Sequence, residues 1–305
     1  AKFWKKVLFL AKHPGASVKV VKERLANSKK VSSIEQELAA ISGLPEDTFQ
    51  GKVYNIEHHR SHLASAFFAS GFEEAACLSI DGSGDFSTTM TAIGKGNKID
   101  VIESVDFPHS LGIFYTAFTQ WLGFPHYGDE YKVMGMAPYG QAQYVEKIKD
   151  VIHLTDDGLF TLNLLYFRDV TSGVISYGDD HIPVVAPLFG DKLIAVFGQP
   201  RKKEEPLSQY HKDMAASVQR MAELTIFHIL NHLHKKTGLD RVCIAGGVAQ
   251  NSVANGKITR ETGFKEVYIP SAGHDAGISM GAALFVQHAE KQFPRQDAIY
   301  SAYTG

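Results

Sequence analysis

Two apolar, β-rich runs that each end in glycine constrain this chain most. Ala75-Ala-Cys-Leu-Ser-Ile80 leads into Asp81-Gly-Ser-Gly84, and Arg241-Val-Cys-Ile-Ala245 leads into Gly246-Gly-Val-Ala-Gln-Asn251. Strand signals of this kind, interleaved with helix-period segments, read as an α/β fold. A carboxylate such as Asp81, at a strand end beside glycines, is well placed to complete a metal or phosphate site. Two adjacent glycines, Gly246 and Gly247, let a flat ligand or phosphate approach the backbone. The plain alternative is a close strand-to-helix turn with no ligand.

The second constraint is Glu57-His-His-Arg-Ser-His62, which opens a helix-like run, His62–Ser70. His58 and His62 are four apart, so on a helix both imidazoles share one face. Two such nitrogens suit one transition-metal ion, unless the spacing is chance on a chain with 14 histidines. His59 points elsewhere and is free for other work. His228 and His232 have the same spacing. They lie beside Asn231, His234, Lys235 and Lys236 with no carboxylate or glycine turn nearby, and read as a solvated helix face.

Composition narrows the function classes. The 305 residues suffice for two lobes, and 44% are hydrophobic, so a large core is available. Net charge is −2 with no basic block, which argues against an electrostatic nucleic-acid binder. No apolar run reaches the ~18 residues of a membrane span, and the start lacks a signal-peptide core. The two cysteines, Cys77 and Cys243, fall in strand-like runs and read as reduced core residues, which suits the cytoplasm.

Along the chain, residues 1–50 read as helical and basic, with apolar spacing through Val18–Leu25 and Ile34–Leu44. Lys52–Ile56 reads as a strand. Phe86–Ile93 and Ile99–Phe107 read as a hairpin closed by Gly94-Lys-Gly-Asn97. Residues 109–123 read as an amphipathic helix. Tyr127–Gly140 mixes charge, glycine and proline and reads as a loop rather than a surface helix. Within it Asp129, Glu130 and Lys132 read either as contacts to a polar substrate or as a structural ion pair. Residues 141–205 read as an insertion, with a turn at Asp156-Asp-Gly158 and a linker at Gly198–Pro206. The longest helix is expected over 207–237, with Met214, Val218, Met221, Ala222, Thr225, Ile229 and Leu233 at helical spacing and Gly238 as its cap. A short strand, Glu266–Ile269, then leads to Asp275 at the start of a last helix, where it reads as an ordinary cap or a ligand.

The pattern therefore predicts two α/β lobes with a nucleotide or metal in the cleft between them. This is the logic of the two-lobed actin-like fold of sugar kinases and Hsp70-type ATPases. The expected division is a first lobe over 1–125, a connecting loop and insertion over 126–205, and a second lobe over 206–305.

Several motifs in register add a resemblance. His58–Phe68, Ile80-Asp-Gly-Ser-Gly-Asp85, Ser110-Leu-Gly112, Gly128–Gly135, Ala137-Pro-Tyr-Gly140, Ala245–Asn251 and Asp275-Ala-Gly277 resemble the O-carbamoyltransferases of antibiotic and Nod-factor synthesis. The match runs over roughly residues 50–290. The same lobe is similar to domains of hydrogenase-maturation carbamoyltransferases and tRNA threonylcarbamoyl-transfer enzymes. The resemblance implies that carbamoyl phosphate and ATP give a carbamoyl-adenylate in a separate C-terminal domain. The actin-like domain then passes the carbamoyl group to a hydroxyl of a sugar or similar small-molecule acceptor.

It also implies a divalent metal, iron(II) first and zinc or manganese next, on His58, His62, Asp81 and Asp275. His59 becomes a candidate acid/base for the acceptor hydroxyl. Gly82, Gly246, Gly247 and Asn251 would line the ATP or adenylate, and Asp129 and Lys132 remain substrate candidates. The family's first hairpin and phosphate loop have no counterpart ahead of Ala1, and Gly305 falls about where its second domain begins. The expectation is thus a fragment, truncated in the first lobe and without the adenylate-forming domain. Competing expectations are a relative acting on tRNA and a non-catalytic actin-like module that binds nucleotide and a protein partner. A homo-oligomer is compatible with all of these.

Overall fold

Small and β-branched side chains on two neighbouring strands build the centre of the molecule. The computed structural model describes residues 34–48, 51–168, 175–177, 183–295 and 298–299. The chain divides into two units, residues 1–55 with 169–174, and residues 56–168 with 175–305. In the first, helix α1 (Ile34–Ser42) is followed by a 3-10 turn at Glu46–Thr48. The expected helix at Val18–Leu25 lies outside the described residues, and the strand expected at Lys52–Ile56 is irregular backbone instead.

The second unit begins with α2 (His58–Phe67), followed by β1 (Glu74–Gly84), β2 (Ser87–Lys95), β3 (Lys98–Asp106) and α3 (Leu111–Trp121). Glu57 starts α2 by accepting from the Arg60 amide at 2.9 Å, and Ser110 starts α3 by accepting from Ile113 at 3.1 Å. A seven-residue helix, α4 (Glu130–Met136), comes next, and Ala137–Tyr139 closes it as a 3-10 turn. The sequence-based loop at 127–140 is therefore half helical. Gly128 and Pro138 mark its ends rather than breaking it.

Two small hairpins follow, β4 (Ile152–Leu154) with β5 (Phe160–Leu162), and β6 (Ile175–Tyr177) with β7 (Pro183–Val185). Helix α5 spans Asp191–Phe197 and the long helix α6 spans Gln209–Thr237. Gly238, with φ +68°, ends α6 in the left-handed conformation that glycine takes most readily. The segment between α5 and α6 is no free linker. Its Arg201 is buried and donates to the carbonyls of Leu122 at 2.6 Å, Lys203 at 3.1 Å and Glu205. Strands β8 (Arg241–Ala245) and β9 (Glu266–Tyr268) follow with short helical turns between them, and α7 (Ile278–Leu284) then runs into a π-helical turn at Phe285–Glu290.

The sheet runs β3-β2-β1-β8-β9. The β1–β2–β3 part is an antiparallel meander, and β8 and β9 extend it in parallel from β1. Ala76 pairs with Val242 and Cys77 with Cys243, so both cysteines sit side by side, free and fully buried. The strands that the sequence assigns to two different lobes are thus neighbours in one sheet, and both glycine ends emerge at the same end of the parallel pair. Helix α2 covers one face, where Leu63, Phe67, Phe68, Met90 and Ala245 pack together, and α7 packs against α2. Helices α3 and α6 cover the other, with Phe114, Phe118, Met214 and Val218 buried.

Candidate metal centre

The site grows from the N-terminus of α2 and the end of β1. Past Ile80 the register of β1 with β2 shifts, which turns Asp81–Gly84 outward from the regular ladder. Asp81 Oδ1 accepts from the Gly82 amide at 2.7 Å, which leaves Oδ2 aimed at α2. Oδ2 lies 2.9 Å from His62 Nε2 and 3.3 Å from His58 Nε2. Asp275 enters from the far end of the sequence, at the start of the 3-10 turn ahead of α7. Its Oδ1 lies 3.4 Å from His62 Nε2 and 3.5 Å from His58 Nε2. The cap of that turn is His274, not Asp275, so the carboxylate is free to face the histidines. The two Nε2 atoms are 3.1 Å apart, and all four ligand atoms lie within 4.8 Å of one another.

The donor set fits a cation. Ligands held about 2.0–2.2 Å from one ion stand roughly 3–3.5 Å apart in tetrahedral or octahedral geometry. Two imidazoles and two carboxylates are borderline-to-hard donors that suit iron(II), zinc or manganese. The electrostatics agree. Burial alone would lower the pKa of His62, yet hydrogen bonds to Asp275 and Asp81 outweigh it and raise it to about 9. The two carboxylates thus favour a positive charge on His62. Nδ1 of His62 is buried without a partner among the described residues, so its Nε2 contacts orient the ring.

His59 does not belong to this cluster. It is fully buried, with Nδ1 2.7 Å from Ser79 Oγ and Nε2 2.9 Å from the Ser87 carbonyl. Burial, then the neighbouring His58, pushes its pKa down to about 4, against the pull of the Ser87 carbonyl. Both nitrogens are engaged in the core, because the helix turns residue 59 toward the sheet and away from the face that His58 and His62 share.

The glycines divide in the same way. A Cβ at Gly246, where φ is +106°, would lie 2.1 Å from the Ile80 carbonyl oxygen, and one at Gly247 would lie 2.8 Å from Asp81 Oδ1. Their smallness admits the end of β1, which is the close-turn reading. Only Gly82 of the four nucleotide candidates has open space where a side chain would point. Asn251 is tied up as well. Its amide pairs reciprocally with Gln219 at 2.9 and 3.0 Å and caps the next turn through Ala254. Asp129 and Lys132 form an ion pair at 2.6 Å, and Asp129 also accepts from the His126 amide at 3.1 Å.

The second histidine pair also differs from its expectation. His228 Nε2 lies 2.9 Å from the Thr155 carbonyl, and His232 Nε2 lies 3.6 Å from Glu103. Both are half-buried anchors rather than a solvated face. A residue that sequence reasoning left inside a motif is Asp85. Its Oδ2 accepts from the His58 amide at 2.9 Å. The positive-φ pair Asp85-Phe86, at 50° and 81°, marks the turn that places it.

Comparison with known proteins follows the same lines. A family model described as Carbamoyltransferase N-terminus matches residues 8–284. Over 255 residues the chain is 42% identical to an uncharacterised protein of Synechocystis sp., covering 82% of the chain and 39% of that protein. It is 35% identical over 251 residues to Nodulation protein NolNO of Sinorhizobium fredii, covering 82% of the chain and 33% of that protein. A crystal structure of HypF from T. kodakarensis superposes with a TM-score of 0.41 at 14% identity, over 84% of this chain and 38% of that one. The chain thus spans between a third and two-fifths of the length of these curated relatives. Among the described residues no helix is long and apolar enough to cross a membrane.

Proposed function

Because the chain belongs to the carbamoyltransferase family, we propose that it carries the centre where a carbamoyl group passes from a carbamoyl-adenylate to an acceptor hydroxyl. The adenylate is made from carbamoyl phosphate and ATP in a separate domain, and the acceptor is a sugar or another hydroxyl-bearing natural product. The observation that carries this reading is the convergence of His58, His62, Asp81 and Asp275 on one point.

These four residues would hold a divalent cation, iron(II) first and zinc or manganese next. When bound, such an ion supplies Lewis-acid polarisation of the carbamoyl carbonyl. His62, fully buried, and Asp81, fixed by the Gly82 amide, form the rigid side of the site. Asp275, whose side chain is 55% exposed, forms the open side. A cleft of about 370 Å³ beside it is lined by Ile56, His58, Ser61, Asp85, Ile278 and Ala282. Its mostly apolar walls and open mouth give the acceptor a place to lie. Gly82, with no side chain in the way, leaves room for the adenylate phosphate. The two-lobed actin-like frame belongs to the same proposal, with the five-stranded sheet, which joins strands expected in the two different lobes, as the core of one lobe. ATP and carbamoyl phosphate as substrates favour the cytoplasm as the place of action.

The test is elemental analysis of the protein purified without chelators, beside His58→Ala and His228→Ala. The expected result is near-stoichiometric divalent metal in the parent and in His228→Ala, lost in His58→Ala, with transfer from added carbamoyl-adenylate lost in parallel. Equal metal content and equal transfer in all three proteins would sink the proposal.

A further inference from the structure

We infer that Asp85 is a positioning residue of the metal centre, which sets the place of His58 through that residue's own backbone. The inference rests on the metal-dependent reading and adds a residue to it. His58 is the first residue of α2, so its amide has no partner inside the helix. Asp85 Oδ2, reaching across from the β1–β2 turn, accepts that amide at 2.9 Å. Glu57 already serves the Arg60 amide, so the two carboxylates do separate jobs at one helix end.

The same turn also holds the ring. A Cβ on Gly84 would lie 2.0 Å from His58 Cδ2, so the imidazole lies directly against the backbone of residue 84. Backbone and ring of one ligand are thus fixed by consecutive residues of one turn. The opposite ligand, Asp81, leaves the same strand a few residues earlier. The turn therefore sets the separation between His58 and Asp81, which is the quantity a metal site must control.

The turn is costly to make. Asp85 and Phe86 both have positive φ, at 50° and 81°. Aspartate tolerates this region, but a bulky residue such as phenylalanine rarely does. Burial of Phe86, and its ring contact with Phe107 at 6.5 Å between centroids, hold the conformation in place.

Two substitutions separate the carboxylate from the turn. Asp85→Asn keeps an acceptor for the His58 amide and tolerates positive φ. Asp85→Gly keeps the turn and removes the acceptor. Both are titrated with cobalt(II) alone, reading the dissociation constant and the visible d–d band, and both are melted in chelator. The expected result is affinity within about threefold of the parent for Asp85→Asn. Asp85→Gly should bind about 10–100-fold more weakly, with an altered d–d band. An Asp85→Gly protein that binds cobalt like the parent, with the same band, overturns the inference while leaving the metal reading intact. So does one that only melts at a lower temperature. A parent that binds no cobalt overturns both.

Discussion

His58 Nε2 and His62 Nε2 face each other across 3.1 Å, one helical turn apart, and each also faces Asp81 and Asp275. His228 and His232 have the same spacing on α6, yet His228 Nε2 hydrogen-bonds the Thr155 carbonyl while His232 Nε2 lies 3.6 Å from Glu103, without a hydrogen bond. The helix geometry is common to both pairs. What differs is the presence of two carboxylates aimed at the shared point, which gives the first pair a donor set that could hold a cation.

His59 can be tested as a structural histidine against a catalytic one. His59→Ala removes two buried hydrogen bonds and leaves Ser79 and the Ser87 carbonyl unpaired in the core. The expected loss is about 2–4 kcal/mol of stability in urea unfolding. Metal content per folded molecule should stay at the parent level. A variant as stable as the parent but devoid of transfer would restore the acid/base role.

Gly246 and Gly82 should respond in opposite ways to alanine. At Gly246 the new methyl meets the Ile80 carbonyl, and the backbone is in a region that L side chains avoid. Gly246→Ala is expected to lose about 2–4 kcal/mol. Gly82→Ala meets nothing within 4 Å and should stay within about 0.5 kcal/mol. Its effect, on the proposed function, falls on nucleotide affinity instead. Paired denaturant titrations decide, and equal destabilisation of the two variants would contradict the packing argument.

Acid should weaken the junction between α4 and α6 through Asp213. The Gln141 amide at 2.8 Å, then Gln209 at 2.9 Å and Gln143 at 2.7 Å, donate to its carboxylate and hold its pKa below the usual value. A carboxyl with a lowered folded-state pKa stabilises the protein above its unfolded value of about 4. That contribution is lost as pH falls through the lower, folded value. Melting temperatures followed below about pH 4 should therefore drop more steeply for the parent than for Asp213→Asn. Superimposable curves would rule this out.

The sequence by itself determined the local features. Helical period and a glycine cap located α6, the Gly-Lys-Gly-Asn turn located the β2–β3 hairpin, and the four-residue spacing put two imidazoles on one face. Each depends on residues close together in the chain, where backbone geometry alone decides the outcome. Motifs in register likewise pointed to the family.

Tertiary structure decided everything that needed a distant partner. The parallel pairing of β1 with β8 put both glycine ends in one sheet and pressed Gly246 and Gly247 against Ile80 and Asp81. Spacing could not tell that packing from a ligand site, because a glycine records only that space is tight, not what fills it. Asn251, Asp129 and Lys132 were polar residues in suggestive motifs, and their partners proved to be Gln219 and each other. Helical spacing leaves His59 free because it points away from the face that His58 and His62 share, whereas the sheet beneath it supplies both hydrogen bonds. Asp275 joins the histidines only because the fold returns α7 to the side of α2. The physical reason is one and the same: a side chain's chemistry is set by the charges and donors within a few ångströms, and the chain brings those in from any distance along its length.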